Sequence, residues 1–106
     1  MKAESVSRLS KGKRPPDKLW DLSLFVKDRT PRSVTAFTNL KRICREDLRD
    51  KCHIKVIDIE RRPYLAEKNQ IIAIPTLVKT FPLPARRVVG DLSNKERVLA
   101  GLDLPR

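Results

Sequence analysis

Cys44, Cys52 and His53 are the residues best suited by type to metal or redox chemistry. A structural zinc site needs four ligands, and its cysteines usually include a closely spaced pair such as Cys-x-x-Cys. Seven residues separate Cys44 from Cys52, so that pair is missing. Two cysteines are also too few for a disulfide framework. We therefore predict no metal site and no cofactor, and interpret the cysteines as small, partly buried residues and His53 as a strand-edge or surface residue.

The other residues form no recognisable catalytic motif. The three glycines, Gly12, Gly90 and Gly101, cannot build a phosphate-binding loop of the GxxxxGK type. The single histidine has no evident serine or aspartate partner, so a nucleophile with an activating base is not indicated. The sequence predicts a protein that is not an enzyme.

The charge balance favours an acidic macromolecular partner. Lys and Arg outnumber Asp and Glu by 24 to 13, which gives a formal net charge of +11. A nucleic-acid-binding sheet would also carry stacking aromatic residues, and residues 54–59 and 76–80 have none, which argues against nucleic acid. No run approaches the ~20 apolar residues that cross a membrane, so we predict a cytoplasmic protein without a membrane partner.

The composition divides the chain into an arm and one domain. Residues 1–18 carry six basic and two acidic side chains without apolar periodicity, which favours a flexible, basic N-terminal arm. Residues 19–106 are enough for a single hydrophobic core.

The first half of the domain has the pattern of strand, helix and strand. Residues 19–26 are apolar on both faces, as in the interior of an α/β sheet. Residues 52–59 form the second strand and also have apolar side chains on both faces. Between them, Thr30 can cap a helix that begins at Pro31. Strands joined in this way are parallel. The predicted apolar stripe of the helix consists of Val34, Phe37, Leu40, Ile43, Cys44 and Leu48.

The second half is organised around Pro75. A short helix begins at Pro63, and Pro75 then opens a strand over 76–80, where Ile74-Pro75 is a candidate cis peptide bond. Residues 85–89 return as an antiparallel partner. The last helix is predicted to begin at a capping box formed by Ser93 and Glu96 and to be capped at its C-terminus by Gly101.

The resulting β-α-β-α-β-β-α order predicts an α/β fold of the thioredoxin-like type. A redox thioredoxin places two cysteines where the first strand meets the first helix, because the helix N-terminus lowers the thiolate pKa. This chain has Asp28, Arg29, Thr30 and Pro31 there. A thiol oxidoreductase is therefore the least favoured of three open functions, after a regulatory binding module and a basic nucleic-acid-binding module.

Six motifs in one order resemble the KaiB family. They are Thr30-Pro31-x-Ser33-Val34, Lys55-Val56-Ile57-Asp58, Pro63-x-Leu65-Ala66-Glu67, Ile74-Pro75-Thr76-Leu77, Pro82-x-Pro84-x-Arg86-Arg87 through Gly90-Asp91-Leu92-Ser93, and Gly101-Leu102-Asp103-Leu104. The resemblance implies a non-enzymatic regulator that binds a hexameric KaiC-like ATPase and modulates its phosphorylation or ATPase state, in circadian-type or stress signalling. In clock organisms it also implies KaiA or a histidine kinase as a possible partner.

The resemblance further implies two folds: a thioredoxin-like monomer that binds the partner, and a rearranged ground state that forms a tetramer. We expect a homo-oligomer, dimer or tetramer, when the protein is free. The predicted structural or fold-switch positions are Pro75, Gly101 and Asp103. Glycine costs about 1 kcal/mol relative to alanine inside a helix, so Gly101→Ala with a better helix former at Asp103 is expected to favour the monomer.

The same resemblance indicates where the partner binds. It implies a surface around the edge of the second strand and the second helix, formed by Lys55, Arg61, Pro63, Leu65, Glu67 and Asn69. Arg86 and Arg87 are added as a charged hairpin face that is either functional or simply solvated.

Overall fold

The computed structural model describes residues 15–104. Within them the elements are β1 (Trp20–Val26), α1 (Pro31–Asp47), β2 (Cys52–Asp58), α2 (Pro63–Lys68), β3 (Thr76–Phe81), β4 (Arg86–Val89) and α3 (Lys95–Gly101), in the predicted order. Residues 1–14 of the predicted arm lie outside the described residues. Lys18, the last residue of that arm, donates from Nζ to the main-chain oxygen of Asp50 at 2.5 Å.

The strands form one mixed sheet in the order β2-β1-β3-β4. β1 and β2 are parallel, which confirms the predicted βαβ unit, with Leu24 opposite Val56. β3 runs antiparallel to both β1 and β4, so Leu24 also lies opposite Leu77. The two edges of the sheet are therefore β2 and β4.

One face of the sheet packs against α1 and α3 to form the core. Leu22, Leu24 and Leu77 are fully buried on this face. α1 contributes Leu40 and α3 contributes Val98 to the same cluster. Burying one such side chain contributes about 1.5–3 kcal/mol, so the helices are held to this face mainly by aliphatic packing.

The N-terminus of α1 matches the prediction, but one flank of the helix does not. Thr30 is the N-cap and Pro31 the first helical residue. The buried residues of the helix are Ser33, Ala36, Leu40, Ile43 and Cys44. Val34 and Phe37 remain 49% and 37% exposed, so the prediction that they begin the buried stripe is wrong. Ser33 tolerates burial because its hydroxyl oxygen accepts a hydrogen bond from Thr30 Oγ1 at 2.8 Å.

The predicted cis peptide bond between Ile74 and Pro75 is confirmed. The main-chain oxygen of Pro75 accepts from Gly90 N at 2.9 Å, so the residue before β3 pairs with the residue after β4. Thr76 begins β3 and donates from its hydroxyl to Ala73 O at 2.6 Å.

The cap at the start of α3 differs from the prediction. Asn94 is the N-cap, and its Oδ1 accepts from Arg97 N at 3.1 Å. The predicted capping box between Ser93 and Glu96 is wrong, because Ser93 lies one residue earlier and donates from its main-chain N–H to Asp91 Oδ1 at 3.0 Å.

The end of α3 also differs. Gly101 is the last residue of the helix rather than its cap, and the left-handed conformation belongs to Asp103, with φ 57°. Asp103 N donates to Ala100 O at 3.1 Å and Leu104 N to Leu99 O at 2.8 Å, which is the Schellman arrangement. Asp is one of the few residues other than glycine that tolerate this conformation.

Among residues 15–104, no helix is long and apolar enough to cross a membrane.

Candidate partner-binding surface

A groove lies on the sheet face opposite the core. Because side chains alternate along a strand, Ser23 and Phe25 of β1 point away from the face that carries Leu22 and Leu24. Ser23 lies opposite Lys55 of β2 and Val78 of β3 in the ladder. α2 borders this face and closes a cavity of about 590 Å³. We call it the α2 groove; its lining includes Ser23, Phe25, Lys55, Ile57, Arg62, Leu65, Asn69, Val78 and Thr80.

Three of the predicted partner-binding residues meet in this groove. Lys55 lies on its β2 side, and Leu65 and Asn69 lie on its α2 side. β2 and α2 follow each other in the chain, and their side chains line the same cavity. Asn69 Nδ2 donates to Leu65 O at 2.8 Å, which fixes the amide at the end of α2.

The other predicted residues of this segment lie outside the groove lining. Arg61, Pro63 and Glu67 are exposed, with Arg61 before α2 and the other two on it. Pro63 occupies the first turn of the helix, where a proline loses no hydrogen bond. In the sequence, each of these three residues lies within two positions of a residue that lines the groove.

Arg62 lines the groove and was missed by the sequence analysis. It is the N-cap of α2, with φ −132° and no capping hydrogen bond from its side chain. The residue before a proline is kept extended by steric contact with the proline ring. That rule was the available signal, because it places the residue before Pro63 outside the helix. Arg62 and Lys55 give the groove two cationic groups beside its apolar side chains.

Arg86 and Arg87, predicted as one charged hairpin face, are neighbours on β4, and Arg87 has additional partners. Arg87 donates from Nη2 to Asn69 O at 2.7 Å and from Nη1 to Gln70 O at 3.1 Å. It therefore holds the carbonyl groups that follow α2. Both arginines also line a different depression of about 430 Å³, together with Ala85 and Gly101.

The cysteines are placed for packing. Cys44 and Cys52 are free thiols, 5% and 7% exposed, in the core. Burial raises the pKa of the Cys52 thiol, and a hydrogen bond with Cys44 raises it further. A nucleophilic cysteine needs the opposite shift. Among residues 15–104 there is no group of three potential metal ligands, and His53 instead lies with Nδ1 3.4 Å from Asp21 Oδ1.

Gly101 closely approaches β4. A Cβ added at Gly101 would lie 2.7 Å from Val88 Cγ2, which is too close for a real contact. The benefit of alanine to the helix is therefore opposed by a clash in this fold. Asp103 lies beyond the end of α3 in the Schellman arrangement, so a strong helix former would not suit its conformation.

The family model of the KaiB domain matches residues 23–104. The chain belongs to the KaiB family. The circadian clock oscillator protein KaiB of Prochlorococcus marinus is 48% identical over 89 residues, which cover 84% of this chain and 76% of that protein. KaiB of Synechococcus elongatus is also 48% identical over 89 residues, covering 84% and 87%. KaiB of Thermosynechococcus vestitus is 47% identical over 90 residues, covering 85% and 83%.

Solved structures share the fold of this KaiB-family chain. The N-terminal domain of Synechococcus elongatus SasA superposes with a TM-score of 0.67 at 24% identity, over 90% of this chain and 93% of that one. Oxidised mitochondrial thioredoxin 3 of Saccharomyces cerevisiae gives 0.65 at 14% identity, over 81% and 78%. The predicted thioredoxin-like fold class is confirmed.

Proposed function

We propose that this KaiB-family chain is a non-enzymatic regulatory protein that binds a hexameric KaiC-like ATPase through the α2 groove and modulates its phosphorylation or ATPase state. The observation that carries the proposal is the joining of two cations, Lys55 and Arg62, with apolar side chains such as Ile57 and Leu65 in one cavity of about 590 Å³. Its physiological setting is circadian-type or stress signalling; the name of its relatives, circadian clock oscillator protein, supports the first of these.

The chemistry of the groove suits a protein segment. Leu65 and Ile57 offer apolar area, which supplies most of the binding free energy in a packed interface. Lys55 and Arg62 at the rim attract acidic side chains, which raises the association rate and fixes orientation more than it adds affinity. Arg61, Pro63 and Glu67 would extend the contact along the exposed side of α2.

The proposal also covers the oligomeric state of the protein, its location and its further partners. The free protein is a homo-oligomer, dimer or tetramer, in the cytoplasm, and the thioredoxin-like monomer described here is the form that binds. KaiA or a histidine kinase is a further partner where a clock is present. Catalysis by thiols is not part of the function, since burial raises the pKa of the Cys52 thiol.

The test is capture of the ATPase from an extract of the native cell, followed by binding measurements with the purified ATPase. Lys55→Glu and Arg62→Glu should each weaken binding at least about tenfold and mainly slow association. The matched control is Arg29→Glu, which makes the same charge change in the exposed turn before α1. Circular dichroism should be unchanged in all three.

Two results would overturn the proposal. One is the absence of a RecA-like ATPase from the captured proteins. The other is binding by both groove variants as tight as binding by Arg29→Glu.

A further inference from the structure

A further cavity lies apart from the α2 groove. It has a volume of about 210 Å³ and lies between the first turn of α1, the loop from β4 to α3, and the first turn of α3. Arg32 of α1 and Arg97 of α3 both line it, together with Ser93, Asn94 and main chain of residues 88–92. It shares no lining residue with the α2 groove. We call it the Arg32–Arg97 pocket.

The loop that forms one wall of this pocket is held from three directions. Gly90 N donates to Pro75 O at 2.9 Å, which ties the loop to β3. Asn39 Nδ2 donates to Asp91 O at 2.9 Å, which ties it to α1. Leu92, 3% exposed, anchors it in the core. A ligand would therefore meet a wall that is already in place, and little ordering free energy would be lost on binding.

The two arginines bring more positive charge than the one acidic residue of the pocket compensates. Both are exposed, and neither guanidinium makes a hydrogen bond or ion pair with another residue of 15–104. Arg32 reaches across the loop, because its Nη2 would lie 3.9 Å from a Cβ placed on Gly90. The pocket thus has two guanidinium groups on facing elements.

The one acidic residue in the lining is already engaged. Asp91 accepts from Ser93 N at 3.0 Å. The hydrogen bonds from Ser93, assisted by the charge of Arg32, lower the pKa of the Asp91 carboxyl, so it is ionised at neutral pH. Two cations against one carboxylate leave a net positive site.

We propose that the Arg32–Arg97 pocket binds the phosphate group of a phosphate monoester. A guanidinium offers parallel N–H donors that match phosphate oxygens, and the donors of two guanidinium groups outnumber those that a single carboxylate can use. The Asn94 amide adds a neutral donor. The volume accommodates phosphate with a small attached group and is below the 300–1,000 Å³ typical of drug-sized ligands.

The source of the phosphate is either a small phosphorylated molecule or a phosphorylated side chain of a protein, and two probes distinguish them. Amide shifts are followed by NMR during titration with inorganic phosphate and with a phosphoserine peptide, at constant ionic strength. Saturable shifts should be confined to the amides of residues 90–97 and to the first turn of α1. Tighter binding of the peptide indicates a protein source, and equal or weaker binding indicates a small molecule.

Variants assign the binding to the two arginines. Arg32→Gln and Arg97→Gln should each weaken phosphate binding roughly tenfold, as expected for loss of one charge-assisted contact. Arg45→Gln, an exposed change elsewhere on α1, is the matched control and should bind as the unmodified chain does. The same spectra establish that each variant is folded.

Shifts that grow linearly without saturation would overturn the proposal. So would equal phosphate affinity in both pocket variants, or acetate binding as tightly as phosphate. Because the pocket and the α2 groove share no residue, each outcome is independent of ATPase capture.

Discussion

Arg87 Nη2, on β4, lies 2.7 Å from the main-chain oxygen of Asn69, to which it donates at the end of α2. α2 has six residues and buries none of them, so apolar packing alone holds it weakly. Arg87 contacts a second carbonyl oxygen, that of Gln70, at 3.1 Å. Arg87 of the edge strand β4 therefore holds in place the helix that borders the α2 groove.

Replacing Arg87 should loosen α2 without unfolding the domain. Arg87→Gln removes charge-assisted hydrogen bonds to two carbonyl groups, a loss of about 1 kcal/mol. Hydrogen exchange of the Asn69, Gln70 and Ile71 amides, which bond to carbonyl groups of α2, should become about fivefold faster. Arg86→Gln is the control and should leave these rates unchanged. Equal rates in the two variants would show that Arg87 does not hold α2.

Gly101 and Val88 should be coupled energetically. Gly101→Ala gains about 1 kcal/mol of helix propensity but places a methyl group 2.7 Å from Val88 Cγ2. Removing that methyl by Val88→Ala makes room, so Gly101→Ala should be more favourable in the Val88→Ala background by at least about 0.5 kcal/mol. Urea unfolding of the two single variants and the double variant measures the difference. Strict additivity would contradict the contact.

Asp103 should respond to backbone conformation rather than to helix propensity. Its φ of 57° suits glycine, so Asp103→Gly should raise the stability of this fold. Asp103→Ala, a better helix former, should lower stability by about 1 kcal/mol, because alanine in this region is strained. The midpoints of urea unfolding show which of the two variants is more stable. A more stable alanine variant would show that the Schellman arrangement is not what ends α3.

The Cys52 thiol should react very slowly with alkylating reagents in the folded protein. Each unit by which the pKa is raised lowers the thiolate fraction tenfold at a given pH, and burial excludes the reagent as well. We expect alkylation by iodoacetamide at pH 8 to be at least about a hundredfold slower than in urea, as followed by mass spectrometry. A cysteine introduced at exposed Thr38 provides the reactive control. Labelling of Cys52 at the rate of that control would mean that the core opens readily.

Asp91 should contribute to stability in a defined pH range. Its pKa is lower in the folded protein than the ordinary value of 3.8, because the ionised form accepts hydrogen bonds from Ser93. The stabilisation is thus fully present above that ordinary value and is lost as the pH falls through the lower folded value. Asp91→Asn should be less stable than the unmodified chain at pH 6, and the difference should shrink and then vanish as the pH falls through the lowered pKa of the folded state. A difference that is the same at both pH values would exclude ionised Asp91 as its cause.

Local signals in the sequence were enough for the order of elements and several of their ends. Thr30 and Pro31 identify the start of α1 because capping and a missing N–H act within one turn. Pro75 identifies the start of β3 for a similar reason, since a proline cannot donate within a ladder. The motifs of the KaiB family are contiguous in sequence and needed no structure to be recognised.

Tertiary contacts decided what those signals left open. Which flank of α1 is buried depends on how the helix is rotated on the sheet, so Ser33 is buried and Val34 is exposed. Lys79 is 2% exposed because β3 is an interior strand, although lysine usually lies at the surface.

The sequence by itself determined the fold class, the family and the absence of cysteines at the position where a thioredoxin carries them. Only the structure decided which side chains share a site: Arg62 joins Lys55 in the α2 groove, Arg87 holds the end of α2, and Arg32 meets Arg97 across a separate pocket. The physical reason is the distance along the chain over which each kind of interaction acts. Caps, turns and periodicity act between neighbours in the chain, whereas a binding site depends on how whole elements pack against one another in three dimensions.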